Sequence, residues 1–162
     1  YCQNPICTPS RVSFLSGQYP HNHGYYGLSG PTPRSLPSLF AHFRAQGYRT
    51  AGIGKLHLPD QPRNWVADDL DLYADCYRRA DGTPGESPYF DLLDRLGIRH
   101  LEDSRVMPET GGITYIEARP SLMPYEHCVE QWCAAQAESF IDQSRAAGKP
   151  FFMQVSLPRP HH

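Results

Sequence analysis

No apolar run in this 162-residue chain approaches the length of a membrane span, so no spanning helix is expected. An excess of charge is also missing. Fifteen Lys and Arg stand against 17 Asp and Glu, a formal charge of −2. That leaves no basic field for nucleic acid or an anionic membrane surface, and neither is expected as a partner. Repeats and low-complexity segments are lacking, and no signal peptide is visible. The compartment stays open between periplasmic, secreted and lysosomal-type. The CxxC spacing of a zinc or redox site is missing too: Cys2 and Cys7 are five apart, as are Cys128 and Cys133, and His21 and His23 complete no zinc site. Five cysteines leave at least one outside any intrachain disulfide. Cys76, Cys128 and Cys133 read as buried free thiols.

What is present describes one ordinary globular unit with no internal boundary over residues 1–162. Apolar residues make up 40% and charged residues 20%, too balanced for disorder. Sixteen Pro and 13 Gly predict long shaped loops between few regular elements. The clearest helix runs from Tyr125 to Ala146, with Val129, Trp132, Cys133, Ala137, Phe140 and Ile141 at helical spacing and Gly148 and Pro150 closing it. Phe151 to Ser156 then reads as a buried strand. An earlier unit repeats the order. Ser35 to Gln46 predicts a helix with Leu36, Leu39, Phe40 and Phe43 on one face, Gly47 stops it, and Tyr48 to Ile53 follows as a strand. Helix-then-strand, twice, argues an α/β layer architecture with parallel or mixed strands. Ser87 and Pro88 predict an N-cap and first position for a short helix ending at Gly97 and presenting Tyr89, Leu92, Leu93 and Leu96. Asp81 to Glu86 and Glu102 to Pro124 read as loops.

The opening segment Cys7-Thr8-Pro9-Ser10-Arg11 carries chemistry. Thr8 is expected to cap a helix whose first residue is Pro9, with Val12 and Leu15 facing inward. Cys7 then lies beside the positive end of the helix dipole, and Arg11, one turn on, can reach back toward it. From these residues alone, Cys7 is either a thiol of lowered pKa or a small buried residue. Lys55 and His57, two apart, are expected to point the same way at the end of a strand. Alone, they read as a solvated strand-end lysine and a hydrogen-bonded loop histidine.

Three segments together resemble the sulfatase family. Cys7-x-Pro9-Ser10-Arg11, followed by Ser16-Gly17 and Gly24, is similar to its first signature. Gly47 through His57 is similar to the second. Phe151 through Ser156, then Pro158-Arg159-Pro160-His161-His162, resembles a third segment that delivers a histidine to the substrate. The resemblance implies an alkaline phosphatase-like mixed sheet flanked by helices, and hydrolysis of a sulfate ester on a small molecule or a sugar. It implies that Cys7 is oxidised to formylglycine by a formylglycine-generating enzyme that reads Pro9 and Arg11. The hydrated aldehyde offers one hydroxyl to attack sulfur and a second to expel sulfate, which a serine could not do. By the same resemblance Arg11 anchors the diol, Lys55 binds sulfate oxygens, His57 hydrogen-bonds a diol hydroxyl, and His161, not His162, meets sulfate and the leaving oxygen.

The family also implies a divalent cation, usually calcium, held by oxygen ligands and by the modified Cys7. Its remaining ligands, an aspartate pair ahead of the cysteine and an Asp with Asn or His downstream, have no counterpart here. Asp68-Asp69 follows the second signature and reads as a solvated loop pair. The chain therefore resembles the central part of a longer enzyme, its sheet is expected to be incomplete, and alone it is expected to be inactive. Two other readings stand beside this one: a phosphate or phosphonate ester hydrolase of the same superfamily, and a non-catalytic anion-binding fragment. The peptide containing Cys7 should weigh about 18 Da less than its cysteine form if the modification occurs, and an unchanged peptide mass would count against it.

Overall fold

The structure, a computed structural model, describes residues 1–28, 36–58, 65–76, 87–102 and 121–159. Three strands form a parallel sheet: β1 (Arg49–Gly54), β2 (Leu72–Asp75) and β3 (Phe151–Ser156), in the order β2-β1-β3. Among the described residues five α-helices accompany it, α1 (Cys7–Ser16), α2 (Pro20–His23), α3 (Leu39–Ala45), α4 (Pro88–Leu96) and α5 (Val129–Ala146). The α/β architecture is the one expected, and the described strands are all parallel.

Alternation along β1 divides the core. Ala51 and Ile53 face one cluster with Tyr89, Leu93, Trp132, Cys133 and Phe140 from α4 and α5. On the opposite side Val12, Leu15, Tyr25, Phe40, Leu56 and Leu58 pack together, joining α1 and α3 to the segment after β1. Phe43 stacks on Phe152 with ring centroids 4.2 Å apart, fastening α3 to β3. The sheet is thus covered on both faces, as parallel strands require. Cys76 and Cys133 are buried, whereas Cys128 is half-buried; all are free thiols. The hydrogen bond to Cys133, with burial beside it, pushes the Cys76 thiol well above its ordinary range.

Several boundaries move from their expected places. Ser38 accepts from Ala41 N at 3.2 Å, so α3 starts after Pro37 and not at residue 35. The long helix begins at Val129, because Cys128 is extended and Tyr125–His127 forms a separate 3-10 turn. Ser87 and Pro88 are the N-cap and first residue of α4 as expected, but the Ser87 hydroxyl makes no capping hydrogen bond and donates instead to Asp75 O at 2.8 Å. Leu96, expected on the packed face, is exposed. Strand β2 is unforeseen, being four residues with acids at 71 and 75 on either side of its apolar core. Asp68 and Asp69 sit in a 3-10 turn (Ala67–Asp69), Asp68 exposed and Asp69 half-buried. Segment 81–86 lies outside the described residues, as does nearly all of 102–124 and both His161 and His162.

Gly54 ends β1 with φ 86°, and a Cβ there would lie 2.2 Å from Ser156 O. Both the left-handed backbone and the close strand contact demand glycine. Gly54→Ala should lower the unfolding free energy by roughly 2–4 kcal/mol in urea titration. Gly52→Ala, which meets only the side-chain ends of Leu56 and Leu70, should cost less.

Candidate active site

The sequence-predicted residues Cys7, Arg11, Lys55 and His57 converge where β1 and β3 end, at the carboxyl edge of the parallel sheet. Open α/β sheets bind ligands at this edge. Helix α1 supplies Cys7 and Arg11. Its N-cap is Ile6, so Cys7 is its first residue and Thr8 its second. Asn4 prepares the turn, accepting from Ile6 N at 3.0 Å and donating to Tyr26 O at 3.2 Å. The expected Thr8 cap is therefore replaced. Thr8 is buried, and its hydroxyl donates to His57 O at 3.3 Å. Pro9 is tolerated inside the first turn because its missing N–H would have no intrahelical partner there.

The second group of side chains stands on a turn, not on the strand. Lys55 N still donates to Ser156 O at 2.7 Å, but Gly54 and His57 both have positive φ, 86° and 44°. Strand alternation therefore stops at Gly54, and the simple rule that residues two apart share a face does not apply. A left-handed non-glycine residue costs about 1–2 kcal/mol. It persists where surrounding contacts over-determine it, and His57 is so held. Cys76 N donates to Gly54 O at 3.1 Å, Arg11 Nη1 to Lys55 O at 2.5 Å, and Leu56 N to Asp75 Oδ1 at 3.4 Å.

Within this frame Cys7 Sγ lies 3.3 Å from His57 Nδ1. Arg11 Nη1 donates to Ser156 Oγ at 2.8 Å as well as to Lys55 O. The guanidinium thus joins α1 to the ends of β1 and β3. Burial lowers the Arg11 pKa, while Cys7, Asp75 and Cys76 act to raise it; guanidinium chemistry keeps it charged. Lys55 is buried and His57 half-buried. Cations near a helix N-terminus make an environment suited to an anion. Chemically, the arrangement offers a nucleophile position, an imidazole within proton-transfer reach and positive charge beside both.

The profile of the sulfatase family matches residues 1–162. The chain belongs to the sulfatase family. It is 28% identical over 158 residues to the ulvan-active sulfatase of Formosa agariphila, covering 97% of this chain and 26% of that one. The phosphonate monoester hydrolase of Agrobacterium radiobacter has the same fold, with TM-score 0.66 and 16% identity over 99% of this chain and 33% of its own. Ps i-CgsB in complex with k-i-k-neocarrahexaose shares the fold at TM-score 0.63 and 20% identity, covering 100% of this chain and 36% of that one. This sulfatase chain spans less than a third of the curated relatives that it matches along nearly its whole length.

Sulfatases generally use formylglycine and a divalent metal, and the two groups fare differently here. For formylglycine the residues fit: Cys7 Sγ, where an oxygen of the modified side chain would lie, faces an imidazole nitrogen. For a cation it is not. Among the described residues no group of three or more His, Cys, Asp or Glu could hold a metal ion. Cys7 is accompanied by Arg11, Lys55 and His57, while the Asp75 carboxylate accepts from Leu56 N and Tyr73 OH. Asp68 and Asp69 lie at the other end of the sheet, where Thr50, near the start of β1, donates to Asp69 O at 2.5 Å. The described residues alone do not make a calcium site.

Sequence reasoning missed Thr8, Asp75 and Ser156 as supports of this site. Ser156 sat at the end of a predicted strand, which was the available signal. Asp75 had none, because β2 itself was not foreseen. Arg11→Lys replaces a fork with a point charge and should break the link among α1, β1 and β3. The expected loss is about 1–3 kcal/mol of unfolding free energy, measured by urea denaturation.

Proposed function

We propose that this chain carries the nucleophile region of a sulfatase that hydrolyses sulfate esters through a formylglycine made from Cys7. The observation that carries the reading is the 3.3 Å approach of Cys7 Sγ to His57 Nδ1, with Arg11 nearby, at the first turn of α1. The modified side chain supplies a diol, whose one hydroxyl attacks sulfur and whose other makes sulfate release possible without water attacking the covalent ester. The protein's own residues do the rest. His57 accepts or returns a proton at Nδ1, and the hydrogen bond from Thr8 to its carbonyl oxygen holds its backbone. Lys55 binds sulfate oxygens as a compact charge, at a strand end where burial strengthens its pull. Arg11 anchors the nucleophile region, partly by fixing the carbonyl of Lys55.

His161 is assigned to sulfate and the leaving oxygen from its place after Pro158-Arg159-Pro160. The substrate is a sulfated small molecule or sugar. A sugar is favoured by the likeness to the structure holding neocarrahexaose and to the ulvan-active relative. The formylglycine-generating enzyme is the partner that this assignment requires.

In the protein containing this chain, Cys7→Ala should abolish turnover of a chromogenic sulfate ester while leaving the unfolding midpoint near wild type. Lys55→Ala and His161→Ala should each reduce kcat by about 10²–10³-fold, the scale of one lost transition-state donor. His162→Ala should cost much less. Near-normal turnover by the Cys7 variant would refute the mechanism, and a sensitive His162 would refute the register.

A further inference from the structure

We infer that Asp75 is a positioning residue of this site, its buried carboxylate fixing the backbone between Lys55 and His57. This rests on the reading of Cys7, Lys55 and His57 as the reacting groups. Asp75 is 1% exposed and pairs in register with Gly54, so the last residues of β2 and β1 lie abreast. From there its Oδ1 accepts from Leu56 N at 3.4 Å, and its Oδ2 accepts from Tyr73 OH at 3.1 Å. The residue is itself anchored, because Ser87 Oγ donates to its carbonyl at 2.8 Å.

Packing alone gives no reason for a carboxylate here. A buried charge is unfavourable unless it is paired and hydrogen-bonded, and on its face of the sheet Asp75 stands beside the apolar cluster that takes in Leu56, Leu70 and Tyr73. What the carboxylate provides is an acceptor for the Leu56 N–H, which lies between the two functional side chains. That peptide needs one. Leu56 buries its side chain against Val12 and Phe40's cluster, and the next residue adopts φ 44°. If the Leu56 N–H turns away, the His57 ring moves relative to Cys7, and a misplacement near 1 Å can cost about 10²-fold in rate. The negative charge of Asp75 also offsets the buried Arg11, whose protonated form it favours.

Asp75→Asn retains an oxygen for Leu56 N–H, whereas Asp75→Ala removes it. Amide hydrogen exchange at Leu56 should remain slow in wild type and Asp75→Asn and quicken at least ~10-fold in Asp75→Ala. With a chromogenic sulfate ester, kcat should stay within about fivefold for Asp75→Asn and fall about 10²-fold for Asp75→Ala. Unchanged Leu56 exchange in the alanine variant, or an asparagine variant as impaired as alanine, overturns the assignment. Should Asp75→Ala fail to fold, Tyr73→Phe decides: it removes the hydroxyl that donates to Oδ2 and so loosens the carboxylate's hold, which should speed Leu56 exchange several-fold, and wild-type exchange there overturns the role. A wild-type protein without sulfate-ester turnover defeats the functional reading. Loss of the asparagine–alanine difference in a wild type that does turn over defeats only Asp75.

Discussion

The bridge made by Arg11 is the contact on which the site depends. One nitrogen of its guanidinium reaches the carbonyl of Lys55 and the hydroxyl of Ser156, so α1 is tied to the ends of two strands far from it in sequence. Cys7 lies one helical turn before Arg11 and moves with it. The distance from Cys7 to His57 is therefore set by the same link that closes the sheet's carboxyl edge. A partly buried guanidinium is suited to this, since it is rigid, permanently charged and able to bond several acceptors from one plane.

Around that bridge the backbone from Gly54 to His57 departs from regular structure, and its departure is paid for by neighbours. Two left-handed residues in four turn the chain away from the sheet. The carbonyl oxygens and amides so exposed find partners on α1, β2 and β3 and at Cys76. Such a turn brings the His57 ring to within 3.3 Å of Cys7 at the first turn of α1. Gly54 is the point of least freedom, pressed against Ser156 where no side chain fits.

Electrostatically the site is unbalanced in a useful direction. Arg11 and the positive end of α1 lie beside Cys7, and the buried carboxylate nearby, Asp75, is engaged with a backbone amide and a tyrosine hydroxyl. An anionic ester entering this edge would meet charge that is already desolvated and oriented, which is where electrostatic stabilisation is strongest. The same imbalance explains why the described residues suit an anion and do not by themselves suit calcium.

By itself the sequence determined the repeated helix-strand order and the packed faces of α3 and α5, and its motifs brought Cys7, Arg11, Lys55 and His57 forward as candidates for one site. Those features are local: helical spacing, a glycine stop, an apolar run, or a short motif with fixed residue types. The tertiary structure alone decided where α1 begins, because the Thr8 hydroxyl found a carbonyl on the His57 turn and left Ile6 as an uncompensated cap. It alone revealed β2, whose four residues carry too little pattern to be read but gain hydrogen bonds from β1. And it alone gave Ser156 and Asp75 their tasks, since their partners lie 145 and 19 residues away along the chain. Spacing encodes which face a side chain occupies; only the folded chain brings one strand's end against another's and decides which polar groups must satisfy each other.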